Sequence, residues 1–326
     1  MTTMEEATSL VTIAIPTRNR AGSYLPRALK SALAQTYPNV EIIVSDNCST
    51  DDTESLVAGF GDPRIRYFRH PTNIGAVKNC AFCLQEARGE YFLLLHDDDL
   101  IDSDFIETCV NAVPPGAKVG LIRAGTRAID SEGKQLWEIT NQAVGLSTDG
   151  FFRAWFAGKT APYLCSTLFH TERLRAIGGL KSKHYHFDDV MAEVQLAALF
   201  GRIDVQHVKA SFRYHDTKRG NLRLTSADEI KNWCEDSLIL LDVMCRLVSQ
   251  NRELVRSEGM TFFSSLCYRY VGIVESPVQR LLSYLIVLKM FHYRYLPPPV
   301  VRFLKRSLFY RGIRKVNSGV KRLLYS

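Results

Sequence analysis

The first hundred residues alternate short apolar runs with amphipathic stretches. Residues 11–15 (VTIAI), 40–44 (VEIIV), 64–68 (RIRYF) and 91–95 (YFLLL) have the length and side-chain character of strands. The last run is continuously apolar, as expected of a strand buried on both faces. Between them, residues 24–34 place Leu25, Ala28, Leu29, Ala32 and Leu33 at helical spacing. Ser49 or Thr50 is the expected N-cap of the next helix, with Asp51, Asp52 and Glu54 in its first turn. Residues 75–87 predict a third helix. This order implies a mainly parallel sheet with right-handed crossovers and flanking helices. Further along, residues 162–169 (PYLCSTLF) predict another strand, and residues 226–270 carry helical stripes through Ile230, Trp233, Leu238, Leu241 and Met244–Leu247.

In a parallel sheet, ligands bind beyond the carboxyl ends of the strands. Four polar clusters follow the four strands here: Pro16-Thr17-Arg18-Asn19, Ser45-Asp46-Asn47-Cys48-Ser49, Arg69-His70-Pro71-Thr72-Asn73 and His96-Asp97-Asp98-Asp99. Their convergence on one rim points to a polar ligand. Three adjacent carboxylates repel one another unless a cation screens them. Hard divalent ions take such oxygens and share them with phosphates, so Mg²⁺ or Mn²⁺ is the expected cofactor. A solvated acidic turn capping a helix is the other reading of the same residues. Asp46 and Asn47 offer acceptors and donors to a base or ribose edge. No G-x-G-x-x-G follows the first strand and no G-x-x-x-x-G-K-[ST] occurs, which argues against a dinucleotide dehydrogenase and a P-loop NTPase.

The run IPTRNR, the block EIIVSDNCSTDDT, the segment NIGAVKN and the block GEYFLLLHDDDL, in that order and spacing, resemble glycosyltransferase family 2. The strong resemblance covers about residues 10–105 and a weaker one continues to about 220. It implies a GT-A fold (α/β, Rossmann-like, a mainly parallel sheet flanked by helices) and inverting transfer from a nucleotide-sugar donor. It also implies that Pro16, Thr17 and Arg18 line the nucleotide. Asp46 and Asn47 stand at the base, with Asn47 where the family has an acid. Asn73, Gly75 and Lys78 approach base and phosphates, although Lys78 also reads as a snorkelling helix lysine. Asp98 matches the metal-binding carboxylate, with Asp99 beside it and Asp97 on the ribose or metal side. His96 stands where many members carry an acid.

Beyond residue 170 the stretch IGGLKSKHYHFDDVMAEVQLAALFG resembles the family's Gly-Gly segment, acidic pair and following helix. Inverting transfer needs a base for the acceptor hydroxyl, and a carboxylate suits. Asp188 and Asp189 are the candidates, Asp189 first because it directly precedes the helix, with Glu193 in reserve. Capping of the helix dipole is the other reading of the pair. His215 matches an element that closes over the diphosphate in relatives; it is a candidate metal ligand or, with Arg213 or Lys218, a stabiliser of the leaving group.

Charge changes the picture only at the end of the chain. Of 326 residues, 46% are hydrophobic and 23% charged, and the formal net charge is +7. From Ser276 to Ser326 there are eleven Lys and Arg and no Asp or Glu; the remaining 275 residues carry 30 basic and 34 acidic groups. The expected organisation is a catalytic domain over 1–225, with a nucleotide half at 10–105 and an acceptor half at 106–225, then a helical basic extension over 226–326. Basic amphipathic stretches after Pro277 suit an anionic membrane surface, and hence a saccharide or lipid-linked saccharide acceptor. Nucleic acid is not expected as a partner. The start MTTMEEATSL lacks the pattern of a secretory signal, and the eight Cys mostly sit in apolar or helical settings, so a cytoplasmic location on the inner membrane face is expected. A non-catalytic nucleotide-binding protein and a nucleotidyltransferase are the rival readings; the second lacks its expected Gly-rich, basic loop after the first strand.

Overall fold

The computed structural model describes residues 9–214 and 224–292. They divide into two compact units: residues 9–181 with 188–214, and residues 182–187 with 224–292. The short segment 182–187 groups with the C-terminal helices.

The larger unit opens with β1 (Val11–Thr17), α1 (Leu25–Leu33), β2 (Val40–Asp46), α2 (Thr53–Gly59), β3 (Ile65–Arg69), α3 (Ala76–Glu86) and β4 (Tyr91–Leu94). All seven agree with the apolar periodicity. It continues through β5 (Leu100–Ile101), α4 (Phe105–Asn111), β6 (Leu121–Ile129), β7 (Gln135–Ile139), α5 (Thr148–Phe156), β8 (Thr167–His170), α6 (Thr171–Ala176), α7 (Asp188–Phe200) and β9 (Arg202–Arg213). The nine strands form one sheet in the order β3-β2-β1-β4-β8-β6-β9-β5, with β7 paired to β6. The β3-β2-β1-β4 half is wholly parallel. In the other half β6 and β9 run parallel, while β8, β5 and β7 pair antiparallel.

Two sequence expectations are corrected. The strand expected at 162–169 begins only at Thr167, because a 3-10 turn occupies Leu164–Ser166. The turn lets the Ser166 hydroxyl donate to the Tyr163 carbonyl. The cap of α2 is neither Ser49 nor Thr50: the helix starts at Thr53, whose N–H and hydroxyl both donate to Asp51 Oδ1.

Strands β1 and β2 are buried along almost their whole length, consistent with helices on both faces. Their few polar side chains are matched. Thr12 Oγ1 donates to Glu41 Oε1 at 2.6 Å, and Arg66 pairs with Glu41 Oε2 at 3.0 Å. Gly89, before β4, has no room for a side chain: a Cβ there would lie 2.6 Å from the Thr12 amide nitrogen. Register does the rest. Thr17 stands opposite Asp46, and Asp46 opposite Arg69, so the carboxyl ends of β1, β2 and β3 are level.

A buried ionic cluster joins the second half of the sheet to α7. Arg123 on β6 is 1% exposed and pairs with Glu193 Oε2 at 3.0 Å; Arg202 pairs with Asp204 at 2.8 Å on β9. Thr167 Oγ1 donates to Glu193 Oε1 at 2.9 Å. Both arginines lie over the Phe151 ring.

The second unit holds α8 (Ala227–Leu247), α9 (Arg252–Val271) and α10 (Pro277–Met290). Ser226 and Glu229 cap α8 reciprocally. Ile230, Trp233, Leu241 and Met244 are buried as their spacing predicts, while Leu238 is half-buried. The buried Asp236 carboxylate collects the backbone N–H of His184 and His186 and the Ser182 hydroxyl, and the His186 ring stacks on Trp233. No helix among the described residues is long and apolar enough to cross a membrane.

Candidate active site

The loops after β1, β2 and β3 are stitched to one another in series. Asn19 takes a left-handed conformation (φ 54°). Its N–H donates to Ser49 Oγ at 2.8 Å, and its side-chain oxygen accepts the Thr50 N–H at 2.8 Å. The Ala21 N–H donates to Asp51. On the other side Asn47 Nδ2 donates to Asn73 Oδ1 at 2.8 Å, while Asn47 Oδ1 accepts the Ile74 N–H at 2.8 Å. Asn73 Oδ1 also accepts from the Gly75 N–H, and Gly75 caps α3 with φ 84°, a conformation glycine adopts at no steric cost. An acid at position 47 has no amide to give Asn73, which accounts for the Asn here.

Asp46 is fully buried and engaged within the protein. Oδ1 accepts the Ser49 N–H at 2.8 Å and Oδ2 accepts the Tyr67 hydroxyl at 2.6 Å, with the Arg69 guanidinium 3.9 Å away. Burial and this carboxylate push the Tyr67 phenol well above its ordinary pKa. Asp46 therefore shapes the loop from beneath. Pro16 is half-buried, Thr17 is buried, and Arg18, Asn73, Gly75 and Lys78 are exposed along the same rim. Cys83 lies buried on α3 with Cys80 half-buried beside it.

The acidic loop sits at the centre of the sheet edge. Thr17 Oγ1 donates to Asp97 Oδ2 at 2.7 Å and Arg20 lies 3.8 Å from Oδ1. Burial raises the Asp97 carboxyl, opposed by the Thr17 bond. Asp99 is 2% exposed; its Oδ1 accepts the Arg213 N–H at 2.9 Å. Burial, helped by Asp98, pushes its carboxyl up to about 7. Arg213, also 2% exposed, clamps the loop: Nε donates to the Asp98 carbonyl and Nη1 to the Asp130 carbonyl, and the guanidinium stacks on Tyr24. Only Nη2 lacks a partner among the described residues.

The ligating atoms of His96, Asp98 and Asp99 all lie within 4.8 Å of one another. Opposite ligands of one ion at about 2.1 Å are about 4.2 Å apart, so a small contraction closes this cluster on a single cation. A buried carboxylate held near neutrality by desolvation is what a cation would relieve. The residues fit a divalent ion. Two carboxylates suit Mg²⁺ or Mn²⁺, and the imidazole favours the softer Mn²⁺. The sequence reading expects Asp98 and Asp99 at the metal and does not count His96 as a ligand, although its place between β4 and the acids is the available signal. His215 and Lys218 lie outside the described residues.

Asp188 and Asp189 open α7. Asp189 Oδ1 accepts the Val190 N–H at 2.8 Å. Its carboxyl is raised, chiefly by burial, and His96 opposes the shift through its charge, which puts Asp189 within electrostatic reach of the acidic loop. Asp188 and Asp97 together raise the Cys80 thiol beyond the effect of its burial. Glu193, one turn on, is 0% exposed and committed to Arg123 and Thr167. The structure removes it from the candidates for the base and makes it an anchor of α7.

Residues 12–162 match the profile of Glycosyl transferase family 2, a span that contains every rim loop above. They belong to that family. The family 2 segment is 38% identical over 143 residues to an uncharacterized glycosyltransferase of Rickettsia bellii, covering 43% of this chain and 20% of that protein. It is 33% identical over 127 residues to the chondroitin synthase of Escherichia coli, covering 38% of this chain and 18% of the synthase. The alignments thus span a fifth or less of these two relatives. Staphylococcus aureus TarS, residues 1–349, solved in complex with UDP-GlcNAc, superposes with a TM-score of 0.56 at 15% identity over 86% of this chain and 89% of TarS. The fold is that of the GT-A glycosyltransferases. The candidate base pair lies beyond the family 2 match, so its assignment rests on position alone.

Proposed function

We propose that this chain is a metal-dependent inverting glycosyltransferase that moves a hexosyl or deoxyhexosyl group from a nucleotide-diphosphate sugar to a hydroxyl of a saccharide or lipid-linked saccharide. The observation that carries the reading is the His96–Asp98–Asp99 cluster at the carboxyl ends of a parallel sheet, with Asp97 held beside it by Thr17 and Asp189 within electrostatic reach of His96. Thr17 and Arg20 hold Asp97 toward the ribose. The stitched loops around Asn19, Asn47 and Asn73 enclose the base. A divalent ion at His96, Asp98 and Asp99 would offset the diphosphate's charge as it leaves. Arg213 fixes the loop that holds those ligands.

Asp189 takes the proton of the acceptor hydroxyl at Oδ2, since Oδ1 is occupied by the Val190 N–H. The acceptor oxygen bonds to the anomeric carbon from the face opposite the diphosphate. The bond from that carbon to the phosphate oxygen breaks, and the nucleoside diphosphate departs with the electron pair. Desolvation raises the basicity of Asp189 toward the working pH, which strengthens a general base. The UDP-sugar in TarS and the polymer made by the chondroitin synthase support a role in surface polysaccharide synthesis, of the O-antigen, lipopolysaccharide or capsule kind, at the cytoplasmic membrane face.

The deciding experiment is a thermal-shift screen with UDP, dTDP, GDP and CDP, with and without Mn²⁺, followed by a product assay with the matching donor. A ligand that binds only the folded state raises the melting temperature. A Mn²⁺-dependent rise with one nucleotide supports the reading and names the donor class. No rise with any of them, in a folded sample, overturns it; a rise without hydrolysis or transfer of any donor favours a non-catalytic binder.

A further inference from the structure

Helix α10 turns an apolar face outward. Val278, Leu281, Leu282 and Leu285 are 67%, 62%, 44% and 54% exposed. Their spacing of three, one and three residues places them on one stripe. The opposite face is the one that packs: Ser283, Val287 and Phe291 are 0% exposed within the helical unit. The helix is locked where it starts. Ser276 caps it, Pro277 occupies its first turn, and Gln279 Oε1 accepts the Ala227 N–H at 3.0 Å from α8. The outward stripe is thus held rigidly in place.

The ionic residues of the helix itself have one sign. Arg280 and the exposed Lys289 are the ionic residues of α10. Arg280 donates to the Val274 carbonyl and keeps its charge at the base of the helix. Glu275 is the last acidic residue of the sequence, and nine further Lys and Arg follow Lys289. A second copy of this surface would set like charges against each other. An anionic lipid leaflet accepts both the aliphatic stripe and the cations. Fourteen residues rise about 21 Å, short of the roughly 30 Å of a hydrocarbon core, so the helix suits the plane of the interface.

We propose that the Val278–Leu281–Leu282–Leu285 face of α10 is a membrane-docking surface that inserts into the headgroup–acyl boundary of an anionic leaflet. The proposal deepens the reading of a lipid-linked acceptor and rests on it only for its purpose, since docking is measurable without any sugar. The surface would bring the transferase to a substrate that does not leave the bilayer.

The test is co-sedimentation of the full chain with vesicles of phosphatidylcholine, alone or mixed with phosphatidylglycerol. The comparison is the double variant Leu281→Ser and Leu285→Ser, which leaves the charge unchanged. Binding to the mixed vesicles, weak binding to the neutral ones, and a loss of about tenfold or more in the variant support the proposal. Circular dichroism and the thermal-shift response to nucleotide and Mn²⁺ establish that the variant is folded. A second variant, Val278→Ser, keeps the test open if the first does not fold, and it should weaken binding in the same direction. Equal vesicle binding by parent and variants overturns the proposal, as does absence of binding by the parent. A parent that is dimeric by light scattering, with variants that are monomeric, overturns it in favour of self-association. Because the vesicle assay contains no donor, its failure leaves the nucleotide screen unaffected, and the reverse also holds.

Discussion

Thr17 at the end of β1 donates to Asp97 at the end of β4, a 2.7 Å hydrogen bond between residues 80 apart in sequence. It fixes the first acid of the loop in a place where burial alone would favour its protonated form. Thr17→Val keeps the shape and removes the donor. A bond to a charged group is worth about 1.5–3 kcal/mol, so nucleotide affinity should fall by roughly tenfold to a hundredfold. Titration calorimetry with the nucleotide found in the screen measures this. Unchanged affinity would take Asp97 out of the donor site.

The metal cluster predicts graded losses. Asp98→Ala leaves the buried scaffold intact and should abolish both the Mn²⁺-dependent thermal shift and transfer, by about a hundredfold or more, given the several kcal/mol that a Lewis acid supplies. His96→Ala should weaken Mn²⁺ binding while retaining the fold, and should shift the preference toward Mg²⁺, because an all-oxygen set remains. Identical metal affinities in His96→Ala and the parent would exclude the imidazole from the cluster.

The base assignment separates Asp189 from its neighbours. Asp189→Asn keeps the Val190 contact and removes proton acceptance, so kcat should fall by about 10²–10⁴ with the donor KM little changed. Asp188→Asn should cost less. A variant at Asp189 with parental kcat would shift the role to Asp188.

Much of this site was legible from residue order. The four strands and the polar cluster after each were visible in the alternation of apolar runs, because a strand buried on both faces must be continuously apolar. The parallel register then levels Thr17, Asp46 and Arg69 without further information. What the sequence could not give was the use each side chain is put to. Asp46 looks identical on paper whether it meets a base or caps its own loop; in the structure its two oxygens accept from the Ser49 N–H and the Tyr67 hydroxyl. Arg213 and Glu193 were visible as charges near motifs, yet both are structural because their partners, Asp98, Asp130, Arg123 and Thr167, come from distant segments. The 3-10 turn at Leu164–Ser166 was hidden for a similar reason: an apolar run does not reveal where its hydroxyls will bond.

The loop role of Asp46 predicts a stability defect. Asp46→Ala strands the Ser49 N–H and the Tyr67 hydroxyl in a buried place, each costing about 1–3 kcal/mol. The melting temperature should drop by several degrees, and hydrogen exchange should rise in the 47–51 loop. A variant as stable as the parent but blind to nucleotide would return Asp46 to the base.

Glu193 predicts how stability responds to pH. Burial, opposed by Arg123, holds its carboxyl up to about 7 in the folded protein, against an ordinary value of 4.5. Between those values the folded chain keeps a proton that the unfolded chain has released. Raising the pH through that window therefore favours unfolding, and the contribution is flat below 4.5 and above about 7. Glu193→Gln mimics the protonated carboxyl and has no proton to lose. It should flatten the fall in melting temperature between about pH 5 and 7, leave the variant more stable than the parent near pH 8, and retain transfer activity because it leaves Asp189 untouched. Melting curves across that range, paired with a transfer assay at one pH, read both effects. A variant with the parental slope would place the titration elsewhere, and a variant that folds but has lost transfer would restore Glu193 as a participant in the chemistry.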